Sequence, residues 1–202
     1  MLVDIVVFEG ADELDVIAPL EVFRRAQALG ADIRARLCGQ GEPSAVRGAF
    51  GVRLEPDATF VPGEAEVVLV PGGGWVARAE AGTWAEANRG EWPRLLAEAA
   101  GTGSVMAGVC TGVLLLAQAG VVGSRRAATH HDARQDLADM GVTVVPHRVV
   151  DDGDLVTSGG VTSGIDLALW LLCRYFGESL ASVVADGLEY SWTWPVRAES
   201  QV

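Results

Sequence analysis

Cys110 sits between Gly108 and Gly112 in the stretch SVMAGVCTGVLLLAQAG, residues 104–120. The G-x-C-x-G spacing matches the G-x-S-x-G turn that presents a nucleophile between a strand and a helix, with sulfur in place of oxygen. A strand that turns abruptly into a helix strains its turn residue, and only small neighbours avoid a clash. The side chain then stands at the carboxyl end of the sheet. Unpaired amides and the dipole at the start of the following helix favour a thiolate there. The chemistry expected is nucleophilic attack on an electrophilic carbon. The ordinary alternative is a structural cysteine, because free cysteine is among the most buried residue types.

Other residues could serve that sulfur. Asp15 lies in the apolar run ELDVIAP. An aspartate there could simply favour the helix dipole, as Asp12 or Glu13 also could. Beside a sulfur its role changes: two adjacent anions raise each other's pKa, so a protonated carboxyl hydrogen-bonds the thiolate and becomes a candidate general acid. Gly72-Gly73-Gly74 follows the strand-like run EVVLVP. Its amides, with that of Thr111, are candidate oxyanion donors; a plain glycine turn is the alternative. A phosphate loop is disfavoured, since neither G-x-G-x-x-G nor a Walker pattern is present. His130 and His131 fall at a strand end and could face the site, with His147 a weaker candidate. Metal binding needs three or four convergent ligands, and no spacing suggests them, so no metal is expected.

The elements that must position these groups are legible in the hydrophobic pattern. Residues 2–8 form a continuous apolar run, the signature of a strand buried on both faces. A helix over 14–29 follows, with Val16, Leu20, Phe23 and Ala26 on one face, and Gly30 ends it. Further strands are expected at 32–38, 66–71, 104–109, 126–130, 142–145, 147–150 and 155–158, with turns and a short hairpin across 40–54. Helices are expected at 75–81, 90–100, 111–119, 132–140 (capped by Asp132), 161–176 and 179–186, before the aromatic tail EYSWTWP. Alternating strands and helices with buried strands imply an α/β fold, a three-layer sandwich around a mostly parallel sheet. In such sheets sites lie beyond the strand carboxyl ends, near a switch in strand order.

The 202 residues fit one domain, expected to span 1–202. Net charge is −12, so nucleic acid and anionic membrane are unexpected partners. All fifteen basic residues are arginine, which excludes a Walker lysine and every lysine Schiff base. Cys38, Cys110 and Cys173 are odd in number and widely spaced, disfavouring disulfides and structural zinc. The first residues have no basic leader pattern and no run has membrane-spanning length, so a cytoplasmic location is expected.

The segments VVFEGADELDVIAPLEVFRRA, VLVPGGG, GVCTGVLLLAQAGVV, RRAATHH and TSGGVTSGIDLALWLL, in this order along the chain, together resemble the ThiJ/PfpI superfamily. The resemblance implies the flavodoxin-like, class I glutamine-amidotransferase-like fold. Two features are similar to its isonitrile hydratase branch: Cys110-Thr111, where protease-like members have cysteine then histidine, and Asp15, where many members have glutamate. The resemblance implies Cys110 as nucleophile, Asp15 as its acid partner and Thr111 as a supporting hydroxyl and amide. Gly73 falls at the oxyanion loop, and His130 at the histidine of the family's T-T-H-W stretch. His131 stands where that stretch has tryptophan, and Val113 where hydratases often have a small polar residue. The activity implied is cofactor-free hydration of an isonitrile, a small-molecule substrate, to an N-substituted formamide by a cysteine-dependent hydro-lyase. Alternatives are a glyoxalase-like or deglycase-like enzyme on the same thiol, or a redox-sensing or ligand-binding protein. A homodimer is expected because the family usually pairs. Regulators with these motifs carry a helix-turn-helix half, which this sequence is not expected to contain.

Overall fold

The computed structural model describes residues 1–192 and 194–197. In chain order its strands are β1 (Leu2–Val6), β2 (Arg34–Gly39), β3 (Val46–Arg47), β4 (Arg53–Leu54), β5 (Ala58–Thr59), β6 (Val67–Val70), β7 (Val105–Gly108), β8 (Arg126–Ala127), β9 (Thr143–Val144), β10 (Val149–Asp151), β11 (Leu155–Ser158) and β12 (Val196–Arg197). The helices are α1 (Glu13–Ala28), α2 (Thr83–Arg89), α3 (Glu91–Gly101), α4 (Gly112–Gln118), α5 (Arg134–Asp139), α6 (Ser163–Phe176) and α7 (Glu178–Gly187), with a 3-10 turn at His131–Ala133.

The apolar runs do become the centre of the sheet. Eight strands lie in the order β5-β2-β1-β6-β7-β11-β10-β12, and every pairing is parallel except β10 with β11. In register, Val3 meets Val67 and Val67 meets Val105. Side chains of β1, β6 and β7 are covered on both faces: α1, α6 and α7 pack together as one helical layer, and α2, α3 and α4 as the other. Each buried aliphatic side chain contributes roughly 1.5–3 kcal/mol, so these three strands are the best-anchored part of the molecule. Their carboxyl ends carry the candidate residues. The chain runs outward from β1 to β2, then returns to place β6 on the other side of β1, so the switch in strand order lies between β1 and β6.

The structure corrects the expected boundaries at two places. Residues 75–81 are turns, and the helix in this region is α2, which starts after them. Both ends of the segment are tied together: the Thr83 amide donates to Gly73 O at 2.8 Å, and a Cβ on Gly82 would sit 2.5 Å from the same oxygen. Eleven residues whose ends meet, 73–83, form a strap, a geometry closed to a helix. Asp132 is also no helix cap. Its amide donates to His130 Nδ1 at 3.2 Å, and α5 begins at Arg134 without a side-chain cap. Of the aromatic tail, Trp192 and Trp194 pack at 4.7 Å between ring centroids, while Thr193 lies outside the described residues. Among the described residues no helix is long and apolar enough to cross a membrane.

Candidate active site

Cys110 has φ +56°, the strained conformation expected of a residue that turns a strand straight into a helix. The flanking glycines permit it. A Cβ on Gly112 would lie 2.2 Å from Val70 O, and one on Gly108 would lie 2.8 Å from Val113 Cγ2. The elbow is fastened from several directions. Cys110 N donates to Gly159 O at 3.0 Å, and Thr129 Oγ1 donates to Cys110 O at 2.7 Å. Strain at the turn is therefore held by the segments that follow β11 and β8 together.

Asp15, in the first turn of α1, is fully buried and its Oδ2 accepts from Gly72 N at 2.8 Å. Oδ1 is buried without a hydrogen-bond partner among the described residues. Burial first, and the charge of Asp12 second, raise the Asp15 pKa well above the usual carboxylate range, against the pull of the Gly72 amide and the Cys110 thiol. Burial first, and the Asp15 charge second, push the Cys110 thiol up to about 12; the Val161 and Thr111 amides pull it down by less. The amides at the helix start do favour the thiolate, and burial opposes them. Burial raises the proton affinity of both the sulfur and the carboxyl.

Gly72 and Gly73 have their amides turned to internal partners. Gly72 N serves Asp15, while Gly73 N donates to Thr111 Oγ1 at 2.9 Å. Thr83 Oγ1 donates to Gly73 O at 2.8 Å and lies 3.2 Å from Thr111 Oγ1. With the Thr83 proton on Gly73 O, Thr111 must be the donor to Thr83. The result is a closed ring, Gly73 N–H to Thr111 to Thr83 to Gly73 C=O. Neither glycine amide is free for an oxyanion as the sequence reading expected, and the Thr111 hydroxyl fixes the glycine turn. The amides directed at the sulfur are those of Val161 and Thr111.

A cavity of about 210 Å³ opens onto the sulfur, lined by Asp12, Gly73, Gly74, Trp75, Val76, Ala77, Cys110, Thr111, His130 and Val161. Cys110 is only 5% exposed, so the cavity is its route to solvent. The strap forms one wall. Trp75 Nε1 donates to Asp136 Oδ2 at 2.6 Å, and Arg78, stacked 4.1 Å over Trp84, pairs with the same carboxylate at 2.8 Å. His130 reaches the opposite wall, its side chain 22% exposed, with burial the main cause of a lowered pKa. His131 is exposed and stacks on His130 at 4.3 Å. His147 does not line the cavity.

Comparison with known proteins fits this geometry. Residues 1–173 match the DJ-1/PfpI family. The chain belongs to that family. This DJ-1/PfpI chain is 31% identical over 185 residues to the isonitrile hydratase of Pseudomonas putida, covering 91% of this chain and 76% of that one. It is 26% identical over 189 residues to the dj-1beta protein of Drosophila melanogaster, covering 91% and 94%. A ThiJ/PfpI family protein from Pseudomonas syringae superimposes with a TM-score of 0.83 at 25% identity, covering 98% of this chain and 78% of that one.

Three contributors to the DJ-1/PfpI site were not visible as such in the sequence. Thr83 closes the hydroxyl ring from the start of α2, a helix the pattern did not suggest. Val161, at φ +22°, supplies an amide, which no side-chain motif reports. Arg148 ties the residue after Val161 to α6, donating to Thr162 Oγ1 at 3.2 Å and to Asp166 Oδ2 at 2.8 Å. Asp12 was read only as a possible dipole partner, yet it lines the cavity.

Proposed function

We propose that the protein is an isonitrile hydratase-like enzyme, converting an isonitrile to an N-substituted formamide. The observation that carries this reading is a fully buried carboxyl, its pKa raised by burial, beside a buried thiol that lines one small cavity. Hydration of an isonitrile needs both groups at one carbon, a nucleophile and a proton. The cavity walls suit an uncharged, apolar substrate: Trp75, Val76, Ala77 and Val161 line it, its ionisable groups are Asp12, Cys110 and His130, and no arginine is among its lining residues. An anionic substrate would meet Asp12 with nothing to offset it.

Cys110 Sγ forms a bond to the terminal isonitrile carbon while Asp15 delivers its proton to that carbon and takes up the thiol proton. The product is a thioimidate, R–N=CH–S–Cys110. Water then adds across the C=N bond, oxygen to carbon and hydrogen to nitrogen. The C–S bond breaks, the hydroxyl proton returns to sulfur through Asp15, and R–NH–CHO leaves. The Val161 and Thr111 amides stabilise negative charge on the sulfur as it forms and departs. Resemblance to the Pseudomonas putida enzyme supports the reading. A redox-sensor role is disfavoured by burial of the same thiol, which is 5% exposed and meets solvent through the cavity.

The test is formamide production from cyclohexyl isocyanide by purified protein, followed by proton NMR. Turnover is expected from the wild type and none from Cys110→Ala. Consumption of methylglyoxal with no turnover of isonitrile would instead assign the thiol to aldehyde chemistry.

A further inference from the structure

The resemblance drawn from sequence places His131 where related chains have tryptophan, and the structure gives this departure a chemical setting. His130, His131 and Asp132 are consecutive, so no ligand spacing of the usual kind announces them. Yet one donor atom from each lies within 4.8 Å of the others. The Asp132 carboxylate spans the two rings: Oδ1 is 3.2 Å from His131 Nε2, and Oδ2 is 3.8 Å from His130 Nδ1. Donor atoms around a tetrahedral ion with bonds near 2.0–2.1 Å stand about 3.3 Å apart. One pair already has that separation and another is half an ångström from it.

We propose that His130, His131 and Asp132 form a binding site for a zinc-class dication at the rim of the Cys110 cavity. Two imidazoles and one carboxylate suit zinc or its first-row neighbours, whereas calcium and magnesium call for oxygen-only sets. Nδ1 of His130 accepts from the Asp132 amide, so that nitrogen carries no proton, and a metal can take the lone pair over from the amide. The amide it gives up belongs to an exposed residue and water can replace the bond. His130 is held at the cavity wall, where its Cδ2 would come within 2.8 Å of a Cβ on Gly160. His131 and Asp132 are 68% and 56% exposed in their side chains, free to close the remaining distance. Three protein ligands leave a tetrahedral ion one open position. Asp12 on the same cavity adds favourable charge. The ion would share His130 with the site, so its occupancy and the cavity mouth are linked.

Zinc binding to the full chain is measured by competition with a chromophoric chelator, on wild type, His131→Gln, Asp132→Asn and Cys110→Ala, each checked for native circular dichroism. One ion per chain is expected in the wild type and in Cys110→Ala. His131→Gln and Asp132→Asn should each weaken it by at least about tenfold, the least that loss of even an outer-shell partner produces. Cobalt substituted for zinc should show no thiolate charge-transfer absorption. Binding retained in His131→Gln but lost in Cys110→Ala, or no binding by the wild type, would overturn the site. None of these readouts uses isonitrile turnover, so this proposal and the enzymatic one fail separately.

Discussion

Two cysteines in this molecule lie beside a buried aspartate, and one of them, Cys110, lines a cavity. Cys38 lies within β2 next to Asp4, and both are 0% exposed. Cys110 lies two residues beyond the end of β7, near Asp15. Burial is the first cause that pushes each thiol up to about 12. The difference lies in what neutralises the acid. Arg36 donates to both carboxylate oxygens of Asp4, at 2.7 and 3.2 Å, and to Glu64 at 2.8 Å. Among the described residues Asp15 has no ion pair and one of its oxygens has no hydrogen-bond partner, and its proton affinity is raised instead. Cys38 belongs to a regular strand, whereas Cys110 is strained at φ +56° and lines a cavity. Burial of a thiol beside an acid is thus not a mark of chemistry. An acid left without a counter-charge, and a backbone bent to aim the sulfur, are.

Exchanging the two thiols for alanine gives the widest separation. Cys110→Ala should lower isonitrile turnover by at least about a thousandfold, as removal of a nucleophile does. Cys38→Ala should leave turnover within about threefold and lower stability by about 1–2 kcal/mol through the small cavity it opens. Steady-state kinetics and urea unfolding on the same preparations separate the two. Comparable kinetic losses in both variants would erase the distinction.

The acids should diverge in opposite directions. Asp15→Asn keeps an acceptor for Gly72 N but loses the transferable proton, so turnover should fall about 10²–10⁴-fold. The same change should stabilise the fold. Because burial raises its pKa, folded Asp15 retains its proton above the unfolded value of 3.8. Through that window the unfolded state binds fewer protons, so this group's contribution to stability declines as pH rises. Asparagine removes the decline, and about 1 kcal/mol of added stability at neutral pH is expected, in the range of such activity trade-offs. Asp4→Asn should do the reverse. It leaves the Arg36 guanidinium with Glu64 alone and should destabilise by about 3 kcal/mol, with turnover of the folded fraction unchanged. Thermal unfolding from pH 4 to pH 8 reads both signs.

This contrast was half visible in the residues themselves. The glycines around Cys110 reported the elbow, because backbone clashes such as those awaiting a Cβ at Gly112 are local and leave a spacing. Apolar runs reported β1 and β6 well, since strands buried on both faces need continuous hydrophobicity. Asp15 and Asp4 both sit in apolar runs, and nothing local says that Arg36 answers one and no cation answers the other. That depends on strand register, Asp4 opposite Arg36. The strap over 75–81 was misread as helical because its shape comes from a tie between Gly73 and the start of α2, a tertiary contact. The oxyanion expectation for Gly72 and Gly73 failed similarly: a glycine's presence signals access to its backbone, not which partner its amide will choose.

The smallest effect probes that choice. Thr83 is 0% exposed and closes the ring through Gly73 and Thr111. Thr83→Val keeps the shape and removes the hydroxyl, leaving Gly73 O without that donor and the Thr111 hydroxyl in need of another acceptor. Loss of stability should be about 1–2 kcal/mol, the cost of unsatisfied buried polar groups. If the ring only stiffens the fold, kcat and KM will match the wild type. If it sets the Thr111 amide against the sulfur, kcat should fall about tenfold with KM nearly constant, because that amide acts on charge present only during reaction. Thr83→Ser retains the hydroxyl and should restore kcat. The equivalent loss of a hydroxyl near Cys38, Thr59→Val, should not change kcat, since its Oγ1 donates only to Gly41 O in the turn after β2.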